Sequence, residues 1–539
     1  MIDVPAFLMA AKIQAAWQEK SMCKAFLLFH VSLLLVWLPL GCTKVGPNYV
    51  RPETRVMANW LESEDDRVKT TPADCRGWWR VFNDPALDRL IETAYRQNLT
   101  LWSAGVRVLE ARAFLGVALG NRFPQSQQVF GSLEYNRVSE NSSFSSFSQS
   151  GLKYTQDQIG ITANWEIDFW GRFRRAIESA DASLMSAVSD YDNALVSLTS
   201  DVANTYILIR TLEKRIDIAR QNIEIQKQGL EIAEVRVSGG VTTERDVEQA
   251  RTLLYGTEAS IRGLQIQLEQ AAHALSILLG RPPSLLPDFL ADRSGIPHAP
   301  FEIAVGIPAD LLRRRPDVRS AEFKAMSQAA QIGVAKAELY PAFSISGTFS
   351  FLSTDIGRSS LGDIARWGSR EYVIGPAVRW NIFNYGQITN NVRVQDARFQ
   401  ELLINYQNLV LQAQQQVEDG LTAFLRSQEQ SEFLARSAEA AKRSVDLAVA
   451  QYRTGIADFT TVLTAQQALL SQQDSLVNSL GEISRNLVSV YRALGGGWEI
   501  RGGADLVPPE IKETMARRVN WGDLLQPVVP LPASAGERQ

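Results

Sequence analysis

Two heptapeptides decide the architecture of this chain: WEIDFWG at residues 165–171 and WNIFNYG at residues 380–386. They share Trp, Ile and Gly in register, at an offset of 380 − 165 = 215. GVTTERDV at residues 240–247 matches GIADFTTV at residues 455–462, again at 455 − 240 = 215. Upstream, Phe123-Pro124 matches Tyr340-Pro341, at 341 − 124 = 217. Three matches in the same order indicate a duplicated unit.

Each heptapeptide ends a segment in which apolar and polar residues alternate, the pattern of a strand with one apolar face. The segments are 157–169 and 372–382, and their predicted partners are 128–136 and 343–351. Strands of this length can cross a bilayer, and aromatic residues cluster at the strand ends, as in an interfacial girdle. Two ordinary hairpins on a soluble core remain the alternative. Because open strand edges are not tolerated in lipid, four membrane strands would require oligomerisation, and three copies would close a twelve-stranded barrel.

Long helices are predicted beside these strands. Residues 174–237 and 389–452 contain no proline and carry apolar residues at helical spacing. At 1.5 Å per residue, each would be about 95 Å long. Each is followed by a glycine turn and an antiparallel return helix, at 246–279 and 461–494. Helices alone would also suit an exported coiled-coil scaffold, but the interspersed strands disfavour that alternative.

The N-terminal sequence predicts export. Lys24 precedes an apolar run at 25–40 and then Gly41-Cys42, the layout of a signal peptide, with Met22 as a possible true start. LPLGC at 38–42 resembles a lipoprotein box, in which the cysteine receives the lipid, although Pro39 departs from the usual leucine. We expect lipidation at Cys42; an ordinary signal peptide with an incidental cysteine is the alternative. Thr43 favours sorting to the outer membrane.

Composition argues against an enzyme. The chain has three histidines and three cysteines without the close pairs of metal sites. No phosphate-binding glycine loop or nucleophile elbow is evident. A net charge of −4 gives no basic footprint for nucleic acid. We therefore expect no catalysis, no cofactor, no metal and no nucleic-acid partner.

Several motifs carry a family resemblance: CTKVGPNY at 42–49, YRTG at 452–455 and LGGGW at 494–498, together with the order of elements. They resemble TolC-like outer membrane factors, specifically the NodT and OprM type of efflux lipoprotein, over about residues 42–498. The resemblance implies a mixed α and β membrane protein. In it, a trimeric twelve-stranded transmembrane β-barrel, with four strands per protomer, continues into a long α-helical coiled-coil periplasmic tunnel.

The resemblance also implies a function and partners. The chain would be the passive exit duct of a tripartite, multidrug-type efflux pump, anchored by lipid in the outer membrane and extending into the periplasm. Its partners would be two further copies of itself, a periplasmic adaptor (membrane fusion) protein, and an inner-membrane transporter of the resistance-nodulation-division type. The alternative is a periplasmic coiled-coil scaffold or adaptor lipoprotein.

The predicted organisation has five segments. Residues 1–41 form the signal peptide and 42–85 the lipidated N-terminal segment. The two outer-membrane-efflux repeats occupy 86–290 and 300–498, and a loosely ordered tail rich in proline covers 499–539.

The family's gate maps onto the two glycine turns. Asp246 matches the aspartate of its closing network and Tyr452 the tyrosine. Ala457 stands where TolC has an arginine, and Thr461 and Thr464 stand where it has rings of aspartate. Threonines hydrate a pore without concentrating cations, so we expect a weak cation preference at this tip. The alternative for Asp246 is a solvated carboxylate at a helix start.

The same turns are the expected adaptor-docking surface, over residues 238–246 and 454–461, by family analogy. Gly239, Gly240 and Gly455 are the positions assigned to docking. Glu166 and Asp168, at the end of the first strand pair, are expected to solvate the lumen.

Overall fold

The computed structural model describes residues 44–71, 74–139, 153–291, 295–356 and 359–526. The expected signal peptide and Cys42 lie outside them. The chain divides into two compact units. The first contains Ala113–Ala182, Ala325–Glu401 and the N-terminal residues through Val50; the second contains Arg51–Arg112, Ser183–Lys324 and Leu402–Gln539.

The lengths of the helices confirm the internal duplication. The helices are α1 (Pro85–Gln97), α2 (Leu99–Gly120), α3 (Arg172–Ser238), α4 (Glu244–Leu278), α5 (Pro316–Ala337), α6 (Gln387–Arg453), α7 (Phe459–Ala493) and α8 (Pro509–Arg518). Helices α2 and α5 each have 22 residues, α3 and α6 each have 67, and α4 and α7 each have 35. Their starts differ by 316 − 99 = 217, 387 − 172 = 215 and 459 − 244 = 215. These are the offsets of the sequence matches.

The strands form two sheets. They are β1 (Val68–Lys69), β2 (Ser126–Arg137), β3 (Lys153–Ile167), β4 (Ile303–Ala304), β5 (Ala342–Thr354) and β6 (Arg370–Arg379). In the first unit, β2, β3, β5 and β6 make a four-stranded antiparallel sheet in that order. In the second unit, β1 and β4 form a short parallel pair.

The register of the large sheet separates two faces. Val129, Ile161, Phe349 and Tyr372 are successive cross-strand partners and share one face. We call this the apolar face: the odd-numbered residues of β2, β3 and β5 and the even-numbered residues of β6. Ile161 is 55% exposed on it in the single chain. The opposite, polar face carries Ser, Thr and Gln side chains from β2, β3 and β5. An exposed apolar face of this extent requires an apolar environment.

The sheet corrects the predicted ends of two strands. Phe169 was expected to end the second strand, but β3 ends at Ile167. Trp380 and Ile382 were expected to continue the last strand, but β6 ends at Arg379. The Ile382 amide donates to the Trp380 carbonyl at 3.1 Å, a tight turn that takes the backbone out of the sheet. The Trp380 indole instead donates to the Leu339 carbonyl at 3.0 Å. The aromatic residues therefore lie beyond the strand, although still at its end.

In the second unit, long helices pack through buried apolar residues. Helices α3 and α7 are also joined by polar contacts: Arg215 pairs with Asp474 at 2.8 Å, and Asn222 donates to Gln473 at 2.7 Å. Polar contacts in a coiled-coil interface fix the register of the helices. Among the described residues, no helix combines the length and apolar character of a transmembrane span.

An N-terminal strap, residues 51–67, follows helix α6 in the second unit. The Met57 amide donates to the Gln414 side chain at 2.8 Å, and the Leu61 amide donates to Glu418 at 2.8 Å. Farther along, Arg67 pairs with Glu429 at 2.9 Å. Between Met57 and Leu61, the strap is therefore held by hydrogen bonds from its own backbone to side chains of the helix.

The tail is not loosely ordered over residues 499–526, contrary to the sequence-based expectation. It contains α8, and Val507 and Met515 are buried together with Leu109 of α2. Arg501 pairs with the fully buried Asp192 at 3.0 Å. The proline content misled the prediction because apolar residues at helical spacing in α8 find a partner in α2.

We predict that a charge in the middle of the apolar face destabilises the assembled protein. Ile161→Arg or Ile345→Arg should each cost about 2–4 kcal/mol if these positions lie near the bilayer midplane. The measurement is a urea titration of folding into lipid vesicles. Thr162→Arg, on the polar face beside Ile161, is the control and should fold normally. Normal assembly of both isoleucine variants would contradict a lipid-facing surface.

Candidate gate and docking site at the two helical turns

The turn between α3 and α4 is a Schellman motif. The Gly240 amide donates to the Val237 carbonyl at 2.9 Å, and the Val241 amide donates to the Arg236 carbonyl at 3.0 Å. Gly240 has φ of 70°, a left-handed conformation that glycine adopts without steric cost. Gly239 has no positive φ, so the two neighbouring glycines have different roles in the turn.

The turn between α6 and α7 repeats this geometry. The Gly455 amide donates to the Tyr452 carbonyl at 3.1 Å, the Ile456 amide donates to the Gln451 carbonyl at 2.9 Å, and Gly455 has φ of 76°. The residue after the left-handed glycine is apolar and exposed in both turns: Val241 at 64% and Ile456 at 78%. The turns thus present two matched apolar side chains to the surroundings.

The structure brings the predicted network pair together. Asp246 is buried, although it lies in the first turn of α4. The Tyr452 hydroxyl donates to Asp246 Oδ2 at 3.4 Å, and the Thr242 hydroxyl donates to the same oxygen. Arg245 Nη2 lies 3.8 Å from Asp246 Oδ1, but the Arg245 side chain is largely exposed. Asp246 is therefore not the solvated carboxylate of the alternative interpretation.

Tyr452 belongs to an apolar cluster between the helices. Its ring lies 5.1 Å from the ring of Phe459, and Ala233, Val247 and Val445 are buried in the same cluster. Burial, and then the negative charge of Asp246, raise the pKa of Tyr452. The phenol therefore keeps its proton and acts as a hydrogen-bond donor.

Sequence reasoning missed Arg236, in the last turn of α3. Its guanidinium carbon lies 4.5 Å from the centroid of the Tyr452 ring, a cation–π distance. Its Nη1 donates to the Tyr452 carbonyl and, at 3.4 Å, to the Arg453 carbonyl. Arg236 thus supplies a positive charge next to the tyrosine. Ala457, the position at which TolC has an arginine, is uncharged. The available sequence signal was a basic residue in the last turn of a helix, where carbonyl groups are unpaired.

The two predicted pore threonines are exposed, and their hydroxyls bond locally. Asp458, the N-cap of α7, accepts from the Thr461 amide at 3.1 Å and from its hydroxyl at 2.9 Å. The Thr464 hydroxyl donates to the Thr460 carbonyl at 2.9 Å. At the start of α7 the exposed carboxylate is therefore Asp458, three residues before Thr461.

Glu166 and Asp168 lie in the first unit and contact the start of α3. Asp168 accepts from the backbone amides of Phe173 and Arg174, each at 3.0 Å, and it also pairs with the Arg174 side chain. Glu166 pairs with Arg172 at 3.3 Å. Asp168 is thus a helix-capping residue rather than a free lumenal charge. Across the described residues, no group of three or more side chains could hold a metal ion.

The adjacent glycines give a matched stability test of the first turn. Gly240→Ala forces an L-residue into a left-handed conformation and should cost about 1 kcal/mol locally. Gly239→Ala should cost little, because its φ is ordinary. Hydrogen exchange on the full-length protein in detergent measures the difference. Amides at the end of α3 should exchange roughly fivefold faster in Gly240→Ala. Equal exchange in the two variants would contradict this assignment.

Comparison with known proteins identifies the family of this chain. The family model described as "Outer membrane efflux protein" matches residues 90–281 and 307–496. The chain is 30% identical to the pyoverdine export outer membrane protein OpmQ of Pseudomonas aeruginosa, over 87% of this chain and 97% of that protein. It is 29% identical to nodulation protein T of Rhizobium leguminosarum bv. viciae, over 79% of this chain and 84% of that protein.

The solved outer-membrane channel OprN superposes with a TM-score of 0.78 at 30% identity, covering 85% of this chain and 100% of that channel. The predicted TolC-like fold, with its strands set between long helices, is thereby confirmed. The matched segments of the family model include both glycine turns and all four strands of the large sheet. The chain therefore belongs to the outer membrane efflux protein family, and it is an outer-membrane exit duct that extends into the periplasm.

Proposed function

We propose that three copies of this chain form a passive duct that receives solutes from a periplasmic adaptor and an inner-membrane transporter. The observation that carries this proposal is the four-stranded sheet with an exposed apolar face and two unpaired edges, β2 and β6. In lipid, each unpaired backbone group costs several kcal/mol, so the edges must pair with other copies. Three copies give twelve strands, an even number that can close into a β-barrel.

The two turns are our proposed contact with the adaptor. Gly239, Gly240 and Gly455 shape them, and Val241 and Ile456 provide exposed apolar side chains for the contact. The transporter is proposed to be of the resistance-nodulation-division type, and it would supply the energy for transport. The names of two relatives refer to pyoverdine export and to toluene efflux, so members of the family serve different solutes. The exported solute is accordingly set by the partners in this proposal.

We also propose that Cys42 carries a lipid anchor. Support comes from the residues that follow it, which are docked at the junction of β3 and α3. The Val45 amide donates to the Trp170 carbonyl at 3.1 Å, and Arg175 donates to the Val45 and Gly46 carbonyls at 3.0 Å each. Trp170 stacks on Tyr340 at 4.5 Å. Aromatic residues at strand ends are typical of a membrane interface, where a lipid on Cys42 would insert.

The proposed gate is the group formed by Asp246, Tyr452 and Arg236. It joins α3 and α4 of the first repeat to α6 of the second through one buried carboxylate, one phenol and one guanidinium. Separation of the α3–α4 helical hairpin from the α6–α7 helical hairpin would break the hydrogen bond and the cation–π contact together. Thr461 and Thr464 contribute polar, uncharged side chains to the same tip, whereas the exposed Asp458 contributes a carboxylate. We therefore propose a weak preference for cations there.

The first test is the native mass of the mature protein extracted from outer membranes in mild detergent. We expect three times the mass of the mature chain, with each protomer heavier by one lipid. A trimer without added lipid would retain the duct and reject acylation at Cys42. A water-soluble monomer would contradict the duct and favour a periplasmic scaffold.

The second test ranks the gate residues by single-channel recording of the purified protein. Arg236→Gln removes a cation–π contact and two charged hydrogen bonds, so it should raise the ratio of open to closed channel by about 30-fold, equivalent to ~2 kcal/mol. Tyr452→Phe removes one long hydrogen bond and keeps the ring, so roughly fivefold is expected.

Arg245→Gln is the matched control for the gate. It removes an arginine near the same carboxylate, but the Arg245 side chain is 73% exposed and its charge is screened by solvent. It should gate like the wild type, and thermal melting should confirm that all variants are folded. A leaky Arg245→Gln channel beside a tightly closed Arg236→Gln channel would refute the assignment.

A further inference from the structure

Charged residues are segregated between the two faces of the large sheet. Strand register places Glu134, Glu166 and Glu371 on the polar face, with Arg379 as its single basic residue. The apolar face has the opposite balance: Arg137, Lys153 and Arg370 are basic, and Asp157 is acidic. The net charge of the strands is thus 3 − 1 = +2 on the apolar face and 1 − 3 = −2 on the polar face.

The three basic residues of the apolar face all lie at one end of the sheet. Arg137 is the last residue of β2, Lys153 is the first of β3, and Arg370 is the first of β6. Arg137 and Lys153 are direct cross-strand partners. We call these three residues the basic rim. The opposite end of each strand leads to a long helix, so the basic rim is at the end away from the helices. In an outer-membrane protein whose helices extend into the periplasm, that end meets the outer leaflet.

Arg370 is the residue of the basic rim with the most defined surroundings. It is the cross-strand partner of Phe351, so it lies at the edge of the apolar residues of β5 and β6. Its guanidinium carbon is 4.8 Å from the ring centroid of Trp367, and its Nη1 donates to the Trp367 carbonyl at 2.8 Å. Trp367 is 68% exposed. Within the described residues, no carboxylate lies at ion-pair distance from Arg370. Tryptophans are enriched at membrane interfaces, and an exposed one is expected there.

We propose that the basic rim binds the phosphate groups of lipid A in the outer leaflet. Arginine and lysine are the side chains that recognise phosphate, and Trp367 positions one guanidinium at the level where acyl chains end and headgroups begin. The segregation of charge supports a ligand outside the barrel wall. Basic side chains that bind transported solutes would instead lie on the polar face, which lines the lumen. This site is independent of the gate, of the adaptor contact and of the lipid on Cys42.

Native mass spectrometry of the intact detergent-solubilised protein tests the proposal. The probes are bis-phosphorylated lipid A, its dephosphorylated form and phosphatidylglycerol. Wild-type protein should retain bis-phosphorylated lipid A, and the double variant Lys153→Gln, Arg370→Gln should bind it at least about tenfold more weakly. Lys153→Arg preserves the charge and should bind normally. Arg379→Gln removes the basic residue of the polar face on the same strand as Arg370, and it should also bind normally.

Three results would overturn the proposal. Equal retention of dephosphorylated lipid A would show that the acyl chains, and not the phosphates, are recognised. An equal loss of binding in Arg379→Gln would show a general effect of charge. Phosphatidylglycerol bound as tightly as lipid A, and lost in the same variants, would replace the proposed ligand. Channel conductance of the double variant should remain that of the wild type, which separates this site from failure of the duct.

Discussion

The requirement that backbone groups be paired in lipid determines the rest of this structure. One chain supplies four strands with two open edges. Its apolar face is exposed in the single chain. No rearrangement of a single four-stranded antiparallel sheet this small can satisfy both edges. Oligomerisation is therefore part of the fold and not an addition to it. The same constraint applies to the helices, because β3 and β6 lead directly into α3 and α6. The copies of these helices must therefore follow the symmetry of the closed barrel.

The two repeats differ in sequence at the proposed gate. Applying the offset of 215, Asp246 corresponds to 246 + 215 = 461, which is Thr461, and Tyr452 corresponds to 452 − 215 = 237, which is Val237. The first repeat has kept the carboxylate and the second the phenol. Their hydrogen bond consequently connects unlike positions of the two repeats. Arg236 adds a second connection in the same place. The two helical hairpins are thus joined at their tips by side chains that each occur in only one of the two repeats.

The sequence predicted most of the architecture because its signals were long and periodic. The ends of α3 and α6 were predicted within two residues, since a rod without proline is stopped only by the glycine that its C-terminus requires. The end of β6 was missed because alternation continues through Ile382 although the backbone turns. The pairing of Asp246 with Tyr452 came from family motifs. Arg236 could not be found in that way, because it lies in α3, outside the motif that contains Ala457.

The N-terminal strap has a consequence for how this protein can vary. Between Met57 and Leu61, hydrogen bonds fix the strap to α6 from strap backbone to helix side chain, through Gln414 and Glu418. A backbone amide is present whatever residue the strap carries, apart from proline. Mutational tolerance is therefore distributed unevenly: the exposed Ala58, Asn59 and Leu61 are free to drift during evolution, whereas Gln414 and Glu418 of the helix are not. Trp60 is also constrained, because its side chain is buried and its indole donates to the Gly306 carbonyl at 3.0 Å. A protein engineer could replace these exposed residues, while keeping Trp60, and still expect the strap to follow α6.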